Sequence, residues 1–291
     1  MPTRRRLALT TLALLIAIPA ADAAPDLRSL APDMKRIEAE IGGRLGVAVL
    51  DTGSGAALGY RADERFPMCS TFKFLAAAAV LAEADAGRLR LEERVRLKAG
   101  DLVSHSPVTK GRVSGDGMTL AELGEAAVTR SDNTAANLLL GKVGGPAGLT
   151  AFARSIGDPM TRLDRIEPAM NKVVTGDPRD TTTPAAMLGN LRVLVLGDRL
   201  SPASRERLTA WLLGNKTGAL RVRAGVPGDW RVGDKTGSCA EGSTNDIAVA
   251  WPPGRPPLII STYLTETSAP LERRSAALAA VARAVASAYG R

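Results

Sequence analysis

A cysteine and a serine stand side by side at Cys69 and Ser70, and Lys73 follows the serine by three positions. The apolar, Ala-rich run that comes next predicts a helix that ends near Gly87. Residues three apart share one face of a helix, so the Lys73 amine can reach the Ser70 hydroxyl. That hydroxyl becomes a nucleophile when a neighbouring base takes its proton, and a lysine is such a base when its pKa is lowered. The spacing indicates serine chemistry, although a serine that opens a helix is often only its N-cap.

A second polar triplet, 131-SDN-133, lies between two helical patterns. Its Ser131 hydroxyl can relay a proton to a leaving group, and its Asn133 amide can hold a substrate carbonyl. The alternative is that the triplet only caps the helix predicted from 133-NTAANLLLGK-142. The stretch 243-STN-245 has the same Ser-x-Asn pattern, so the triplet alone is weak evidence for a site.

A third triplet occurs twice, at 216-KTG-218 and at 235-KTG-237. The first copy follows a helical pattern and is typical of a helix end. The second copy ends an extended run, where a strand edge offers backbone N–H groups to a substrate. There Lys235 supplies a positive charge and Gly237 permits close approach. We therefore expect the second copy to be the functional one.

A long polar connection, 162-RLDRIEPAMNKVVTGDPRDTTTP-184, is rich in Pro, Gly, Asp and Arg. Loops of this length inside a compact domain are usually functional. The loop contains Glu167 and, four positions later, Asn171, while Arg165 and Asp180 bracket it and can pair to close its neck. A single glutamate in such a loop can also be an ordinary solvated charge.

The elements that must position these groups come from both ends of the chain. Alternating apolar residues predict strands near each end, and helical spacing predominates in the middle, from about residue 70 to about residue 214. The predicted elements are a helix over 32–43, a hairpin over 44–63, strands over 229–238, 244–253 and 258–266, and a helix over 270–289.

These elements predict an α/β fold of the α+β type. A five-stranded antiparallel sheet, built from the N- and C-terminal parts, is covered by the terminal helices and joined by an all-helical lobe. The expected sheet lobe comprises residues 24–61 and 215–291, and the expected helical lobe comprises residues 62–214. The cleft between the two lobes is the expected place for a site.

Composition excludes several classes of protein. The only histidine, His105, rules out zinc sites built from two or three histidines, and two cysteines are too few for a four-Cys metal site. We therefore expect no metal and no cofactor. The formal net charge of +8 suits an anionic small substrate, whereas scattered basic residues and 3% aromatic residues argue against nucleic acid as a partner.

Residues 1–23 have the pattern of a secretory signal peptide. Three arginines at 4–6 precede an apolar run over 7–18, and 21-ADA-23 resembles a cleavage site. The apolar run is too short to span a bilayer comfortably. We therefore expect an exported, periplasmic or secreted protein with no stable membrane anchor, in which two cysteines most simply form one disulfide.

With these motifs in this order over essentially the whole mature chain, the sequence resembles the class A serine β-lactamases. The resemblance implies that Ser70 is the acylated nucleophile, that Lys73 and Glu167 transfer protons, and that Ser131 protonates the leaving nitrogen. It also implies that Glu167 and Asn171 hold the water that hydrolyses the acyl-enzyme. Whether Lys73 or Glu167 activates Ser70 stays open at this point.

The resemblance assigns the substrate contacts as well. It implies that Asn133 contacts the substrate amide, and that Lys235, Thr236 and Ser238 bind the substrate carboxylate. The oxyanion hole would be formed by the backbone N–H groups of Ser70 and Ser238. A hydrolase of this kind would cleave the amide of penicillins and cephalosporins and confer resistance to them.

The chain departs from the pattern of the family at one position. Many members carry a carboxylate-binding arginine on the strand after the third motif, where this chain has Thr244, and Arg221 matches the alternative arginine of other members. His105 occupies the place of an aromatic residue at the mouth of the cleft. The resemblance also implies that Cys69 and Cys239 are close enough for a disulfide, whereas the simpler interpretation of Cys69 is a small buried apolar residue.

Two other functions share part of this pattern: a penicillin-binding peptidase or transacylase of the cell wall, and a β-lactam-sensing module that stays acylated. The presence of Glu167 with Asn171 favours the hydrolase, because only a hydrolase needs a deacylating water. The cysteine pair occurs in carbapenem-hydrolysing members and in members with a narrower range, so carbapenems stay open as substrates. We expect a monomer whose partners are small β-lactams.

Overall fold

A computed structural model describes residues 26–289, so the predicted signal peptide lies outside the described residues. Within that range the chain forms nine strands and nine α-helices. The strands are β1 (Arg44–Asp51), β2 (Ala57–Tyr60), β3 (Phe66–Pro67), β4 (Arg94–Val95), β5 (Met118–Thr119), β6 (Thr181–Thr182), β7 (Arg231–Ser238), β8 (Thr244–Trp251) and β9 (Leu258–Thr265). The helices are α1 (Ala31–Ile41), α2 (Phe72–Asp85), α3 (Leu120–Thr129), α4 (Asn133–Lys142), α5 (Gly145–Ser155), α6 (Pro184–Leu191), α7 (Pro202–Leu213), α8 (Val222–Gly225) and α9 (Leu271–Tyr289).

The main sheet joins the two ends of the chain. Its strand order is β2-β1-β9-β8-β7, and every neighbouring pair is antiparallel. The N-terminal strand β1 therefore pairs with the C-terminal strand β9 over its whole length, from Arg44 opposite Thr265 to Asp51 opposite Leu258. The predicted fold class, a five-stranded antiparallel sheet made from both chain ends and covered by helices, is confirmed.

Each face of the sheet contributes to its own apolar core. Successive side chains on a strand point to opposite faces, so Ile247 and Val249 join one cluster while Ala248 and Ala250 join the other. The second cluster lies between the sheet and the terminal helices α1 and α9, and the first lies between the sheet and the helical middle of the chain. Burial on both faces explains why β8 is apolar without a break over 247–250.

Helix α2 runs through the centre of the helical part, and Ser70 lies in the turn directly before its first residue. Apart from Lys73, it is apolar on all sides and buried from Phe72 to Leu81, which is the pattern of a helix surrounded by others. Four consecutive alanines, at 76–79, let α3, α4, α5 and α7 contact it. Because α2 is held on every side, its N-terminal end is a rigid place for a catalytic group.

The predicted element bounds differ from the observed ones in small ways. The first helix ends at Ile41, directly before the Gly-Gly pair expected to stop it, and Gly42 and Gly43 adopt φ of 69° and 88°. Four two-residue strands, β3 to β6, pair within the helical part. Segments of two residues show no alternation, so the sequence pattern could not predict them.

Candidate active site

Ser70 lies in a short 3₁₀ turn, Cys69–Thr71, that leads directly into α2. The turn begins at Cys69, whose φ of 46° places its backbone in the left-handed region. Ser70 Oγ accepts a hydrogen bond of 2.9 Å from Lys73 Nζ. The N-cap position of α2 is Thr71, and no side chain caps the helix, so the Ser70 hydroxyl is not used as a cap. The half-buried hydroxyl is therefore available for chemistry.

Lys73 is fully buried and contacts groups from three other segments. Its Nζ donates to Asn133 Oδ1 at 2.5 Å and to the Ser131 carbonyl oxygen at 2.9 Å, and it lies 3.2 Å from Glu167 Oε1. Burial lowers the pKa of Lys73, and the Glu167 carboxylate partly opposes this shift. A lysine with a lowered pKa exists as the free amine at a lower pH than usual and can then take a proton from Ser70.

Glu167 is also buried, although it belongs to a loop. Asn137 on α4 fixes its backbone at both ends of the residue: Glu167 N donates to Asn137 Oδ1 at 3.0 Å, and Asn137 Nδ2 donates to the Glu167 carbonyl at 2.9 Å. The Asn171 amide donates to Glu167 Oε2. One carboxylate oxygen, Oε1, therefore faces Lys73, and the other, Oε2, faces Asn171.

The neck of this loop is closed at Asp180. Its Oδ1 accepts the backbone N–H groups of Asp164 and Arg165 at 2.8 and 2.9 Å, and its Oδ2 lies 2.6 Å from Arg165 Nε. Asp180 is buried, whereas the Arg165 side chain is 21% exposed. The expected pair thus lies in contact, and the carboxylate also orders the backbone two residues before Glu167.

Ser131 lies between the two buried lysines of the site. Its Oγ accepts a hydrogen bond from Lys235 Nζ at 3.1 Å and lies 3.4 Å from Lys73 Nζ. Asp132, the middle residue of the triplet, caps α4 by accepting from Ala135 N at 2.9 Å. The capping and the functional interpretations of 131-SDN-133 are therefore compatible. Asp132 caps the helix, while Ser131 contacts Lys235 and Asn133 contacts Lys73.

The 235-KTG-237 motif lies on β7, at the edge of the main sheet. Lys235 is fully buried, and both this burial and the charge of Lys73 hold its pKa well below the usual range. A Cβ atom added to Gly237 would lie 2.8 Å from the Met68 carbonyl oxygen and 3.2 Å from Ser70 N. Only glycine lets this strand approach the nucleophile so closely.

Arg221 lies behind the same strand and is almost fully buried. Its Nη1 donates to the carbonyls of Gly237 and Asn245 at 2.9 and 2.6 Å, and its Nη2 donates to Ser238 Oγ at 2.7 Å. Ser238 is exposed at the cleft. Thr244, by contrast, is buried on β8. The arginine expected from the resemblance therefore contacts Ser238, one of the residues expected to bind the substrate carboxylate.

The predicted disulfide between Cys69 and Cys239 is confirmed, with the two Cα atoms 5.6 Å apart. It joins the residue before the nucleophile to the residue after Ser238. Both backbone N–H groups expected to form the oxyanion hole, those of Ser70 and Ser238, are therefore one residue away from the same covalent link.

His105, which was expected at the mouth of the cleft, lies in the helical part of the chain. It is exposed, has a φ of 58°, and lines a cavity of about 340 Å³ with Leu102, Val103, Ser106, Pro107 and Lys110. Its carbonyl oxygen accepts the backbone N–H of Asn133 at 3.0 Å. The loop that carries His105 is thereby tied to the residue that contacts Lys73.

Several residues of the site were missed by sequence reasoning. The dismissed copy at 216–218 places Thr217 Oγ1 2.5 Å from Thr236 Oγ1, so its threonine lies at the rim of the site. Asp234 on β7 is buried and contacts Arg223 Nε at 2.5 Å and Asn215 Nδ2 at 2.6 Å. Burial raises the pKa of Asp234, and the Arg223 guanidinium opposes the shift. The repetition of Lys-Thr-Gly was the only sequence signal for this neighbourhood.

The fold and the site together define a serine acyl-transfer protein. A serine in the turn before a buried helix contacts a buried lysine, and a buried glutamate lies beside the same amine. Comparison with known proteins identifies the family. The model of the β-lactamase enzyme family matches residues 29–289. The chain belongs to this family.

Curated relatives and solved structures agree with that assignment. β-Lactamase CTX-M-8 from Citrobacter amalonaticus is 48% identical over 98% of this chain and 98% of its own length, and β-lactamase Toho-1 from Escherichia coli is 51% identical over 88% of each. An ancestral class A β-lactamase is 61% identical with a TM-score of 0.88, covering 89% of this chain and 99% of its own. The structure of the class A β-lactamase PenP from Rhodopseudomonas palustris has a TM-score of 0.88 and 58% identity, over 89% of this chain and 99% of its own.

Proposed function

We propose that the protein is a class A serine β-lactamase that hydrolyses the amide of penicillins and cephalosporins through an acyl-enzyme on Ser70. The observation that carries this proposal is the buried contact between Lys73 Nζ and Glu167 Oε1, at 3.2 Å, beside the Ser70 hydroxyl. It brings a base for acylation and a base for deacylation into one site.

In acylation, Ser70 Oγ attacks the β-lactam carbonyl carbon, the new C–O bond forms and the ring C–N bond breaks. Lys73 is the base in direct contact with Ser70, and because burial lowers its pKa, the free amine that can accept the proton is available at a lower pH than in an ordinary lysine. The leaving nitrogen takes its proton from Ser131, and the proton that Lys73 took from Ser70 replaces it, because Lys73 Nζ lies 3.4 Å from Ser131 Oγ. Ser131 Oγ also accepts a hydrogen bond from Lys235. This arrangement supports Lys73 as the immediate base.

In deacylation, a water held by Glu167 and Asn171 attacks the ester carbonyl, the C–O bond to Ser70 breaks, and Glu167 takes the proton of the water. The proton then returns to Ser70 Oγ through Lys73. Burial of Glu167 and its fixation by Asn137 support this role, because a general base must be held within hydrogen-bond reach of its water.

The substrate carboxylate would meet Lys235, Thr236 and Ser238, with Arg221 supporting Ser238 from behind. Asn133 would contact the side-chain amide of the substrate, and His105 would form a wall at the mouth. The N–H groups of Ser70 and Ser238 would stabilise the tetrahedral oxyanion.

Turnover of the chromogenic cephalosporin nitrocefin by the purified mature protein tests this proposal. A hydrolase releases product continuously, whereas a penicillin-binding peptidase or a β-lactam sensor gives a stoichiometric burst and then stops. Covalent labelling by penicillin, followed by intact-protein mass spectrometry, should be lost in Ser70→Ala. A penicilloyl adduct on that variant would show that another residue is acylated.

We also propose that the protein is exported and acts as a monomer, with residues 24–61 and 215–291 forming one lobe and residues 62–214 the other. The Cys69–Cys239 disulfide supports export, because such bonds persist in oxidising compartments. None of the helices within residues 26–289 is long and apolar enough to cross a membrane. Carbapenem turnover is tested separately, by loss of imipenem absorbance.

A further inference from the structure

Asn245 is a fully buried residue of β8 that contacts the segment before the nucleophile. Its side-chain Nδ2 donates to the Pro67 carbonyl at 2.8 Å and to the Met68 carbonyl at 3.1 Å. Both hydrogens of one amide are thus directed at the two residues that precede Cys69. An amide that donates to two adjacent carbonyls fixes both their position and their orientation.

The Met68 carbonyl is also part of the turn that presents Ser70. It accepts the backbone N–H and the hydroxyl of Thr71, at 3.1 and 2.8 Å. The turn then passes through Cys69, whose φ is 46°. A non-glycine residue keeps such a conformation only when its surroundings hold it there. Asn245 supplies part of that constraint from the sheet.

The same residue contacts the other half of the oxyanion hole through its backbone. Asn245 pairs with Gly237 across the β7–β8 ladder, and its carbonyl accepts from Arg221, which also binds Ser238 Oγ. Since Gly237 has no side chain, the Asn245 amide can pass beside β7 to reach Met68. One residue therefore joins the Ser70 segment to the Ser238 segment.

We propose that Asn245 is a positioning residue that holds the backbone N–H groups of Ser70 and Ser238 together at the oxyanion hole. It acts in parallel with the Cys69–Cys239 disulfide, one link through hydrogen bonds and the other through a covalent bond. This inference rests on the proposed acyl-enzyme chemistry. Because either link restrains the same two segments, loss of both should cost more than the two separate losses combined.

The test uses Asn245→Ala, the pair Cys69→Ala with Cys239→Ala, and all three changes together. Loss of one oxyanion donor costs about 10² to 10³ in kcat, so a displaced donor should cost less, about tenfold for Asn245→Ala. The loss should fall on kcat rather than KM for nitrocefin, and the triple variant should lose more than the product of the two separate factors. Ser261→Ala is the matched control, because Ser261 is equally buried on the neighbouring strand and its hydroxyl has no hydrogen-bond partner within residues 26–289.

An infrared measurement separates positioning from mere stability. In the Glu167→Gln background the acyl-enzyme accumulates, and the stretching band of its ester carbonyl reports hydrogen bonding in the oxyanion hole. Asn245→Ala should move this band to higher wavenumber, and Ser261→Ala should leave it in place. If Asn245→Ala folds poorly, Asn245→Ser gives the same readout with a side chain too short to reach both carbonyls.

Two results together would overturn the inference and leave Asn245 a structural residue. The ester carbonyl band would not shift in Asn245→Ala, and the loss of kcat in the triple variant would equal the product of the two separate losses. Absence of any acyl-enzyme in the Glu167→Gln protein that keeps Asn245 would instead overturn the proposed function. The two failures are therefore distinguishable within one set of samples.

Discussion

Two lysine side chains with no exposure to solvent face the same serine hydroxyl at this site. Lys73 and Lys235 both lie within 3.4 Å of Ser131 Oγ, and the charge of Lys73 is one reason for the lowered pKa of Lys235. Two cations this close in a buried site repel each other, which disfavours the charged form of each. Glu167 and Asp234 offset part of that repulsion, which explains why carboxylates occur beside each lysine.

Replacing Glu167 by alanine should separate the two halves of the reaction. Acylation of Ser70 should persist with a good substrate, while loss of the general base slows deacylation by about 10² to 10⁴. Mass spectrometry should then show the acyl-enzyme accumulating during turnover. Glu92→Ala, which removes an exposed glutamate elsewhere, should behave as the parent protein. Unchanged steady-state turnover in Glu167→Ala would mean that a different residue activates the water.

The lowered pKa of Lys235 predicts an alkaline limit to substrate binding. The cation exists only below the pKa that it has in the folded protein, so KM for a substrate with a carboxylate should rise as the pH climbs, earlier than an ordinary lysine would cause. Lys235→Arg should move this rise to higher pH, because a guanidinium stays protonated. KM measured from about pH 6 to about pH 10 checks this; identical profiles for both proteins would contradict it.

At the scale of elements, the loop over 162–184 is the least regular segment of the site, yet it carries Glu167. Its order depends on a few polar contacts at its two ends, those of Asp180 with Arg165 and those of Asn137 with Glu167. The loop and its neck were predictable from composition and length. Asn137 was not, because a single asparagine on a helix gives no sequence signal for a contact 30 residues away.

Asp180→Asn keeps the shape of the side chain and its Oδ1 acceptor but removes the charge opposite Arg165. We expect the loop to be less ordered. The value of kcat/KM should fall by up to about tenfold, to a different extent for each β-lactam, and thermal stability should change less. The control is Asp177→Asn in the same loop, where Arg179 is half-exposed and the ion pair contributes little. Kinetics equal to those of the parent across several substrates would argue against this role of the neck.

At the scale of the whole molecule, the order of elements along the chain was readable from alternation and helical spacing, and so was the origin of the sheet in both chain ends. The register of the paired strands could not be predicted from the sequence. Only the paired strands show that Gly237 lies opposite Asn245, and only the folded chain shows that Thr217 of the dismissed triplet meets Thr236. Contacts between distant segments depend on packing angles and register, which local patterns do not encode.

The disulfide should stabilise the whole fold. In the chain-entropy model, a link between residues 170 apart stabilises by up to roughly 5 kcal/mol. Cys69→Ser with Cys239→Ser should lower the free energy of unfolding in urea, and reduction of the parent protein should reproduce the effect. Thiol titration of the unreduced, denatured parent should find no free cysteine; two titratable thiols would refute the bond.

The pairing of β1 with β9 has a consequence for how the protein is made. A ribosome releases Arg44–Asp51 long before Leu258–Thr265, so the first strand of the sheet waits for nearly the whole chain before it gains its central partner. Strand β7, with Lys235, also lacks its place in the sheet until β8 and β9 are synthesised. A chain truncated before β9 would therefore lack the central strand of the sheet, and we expect it to have no activity rather than a reduced one.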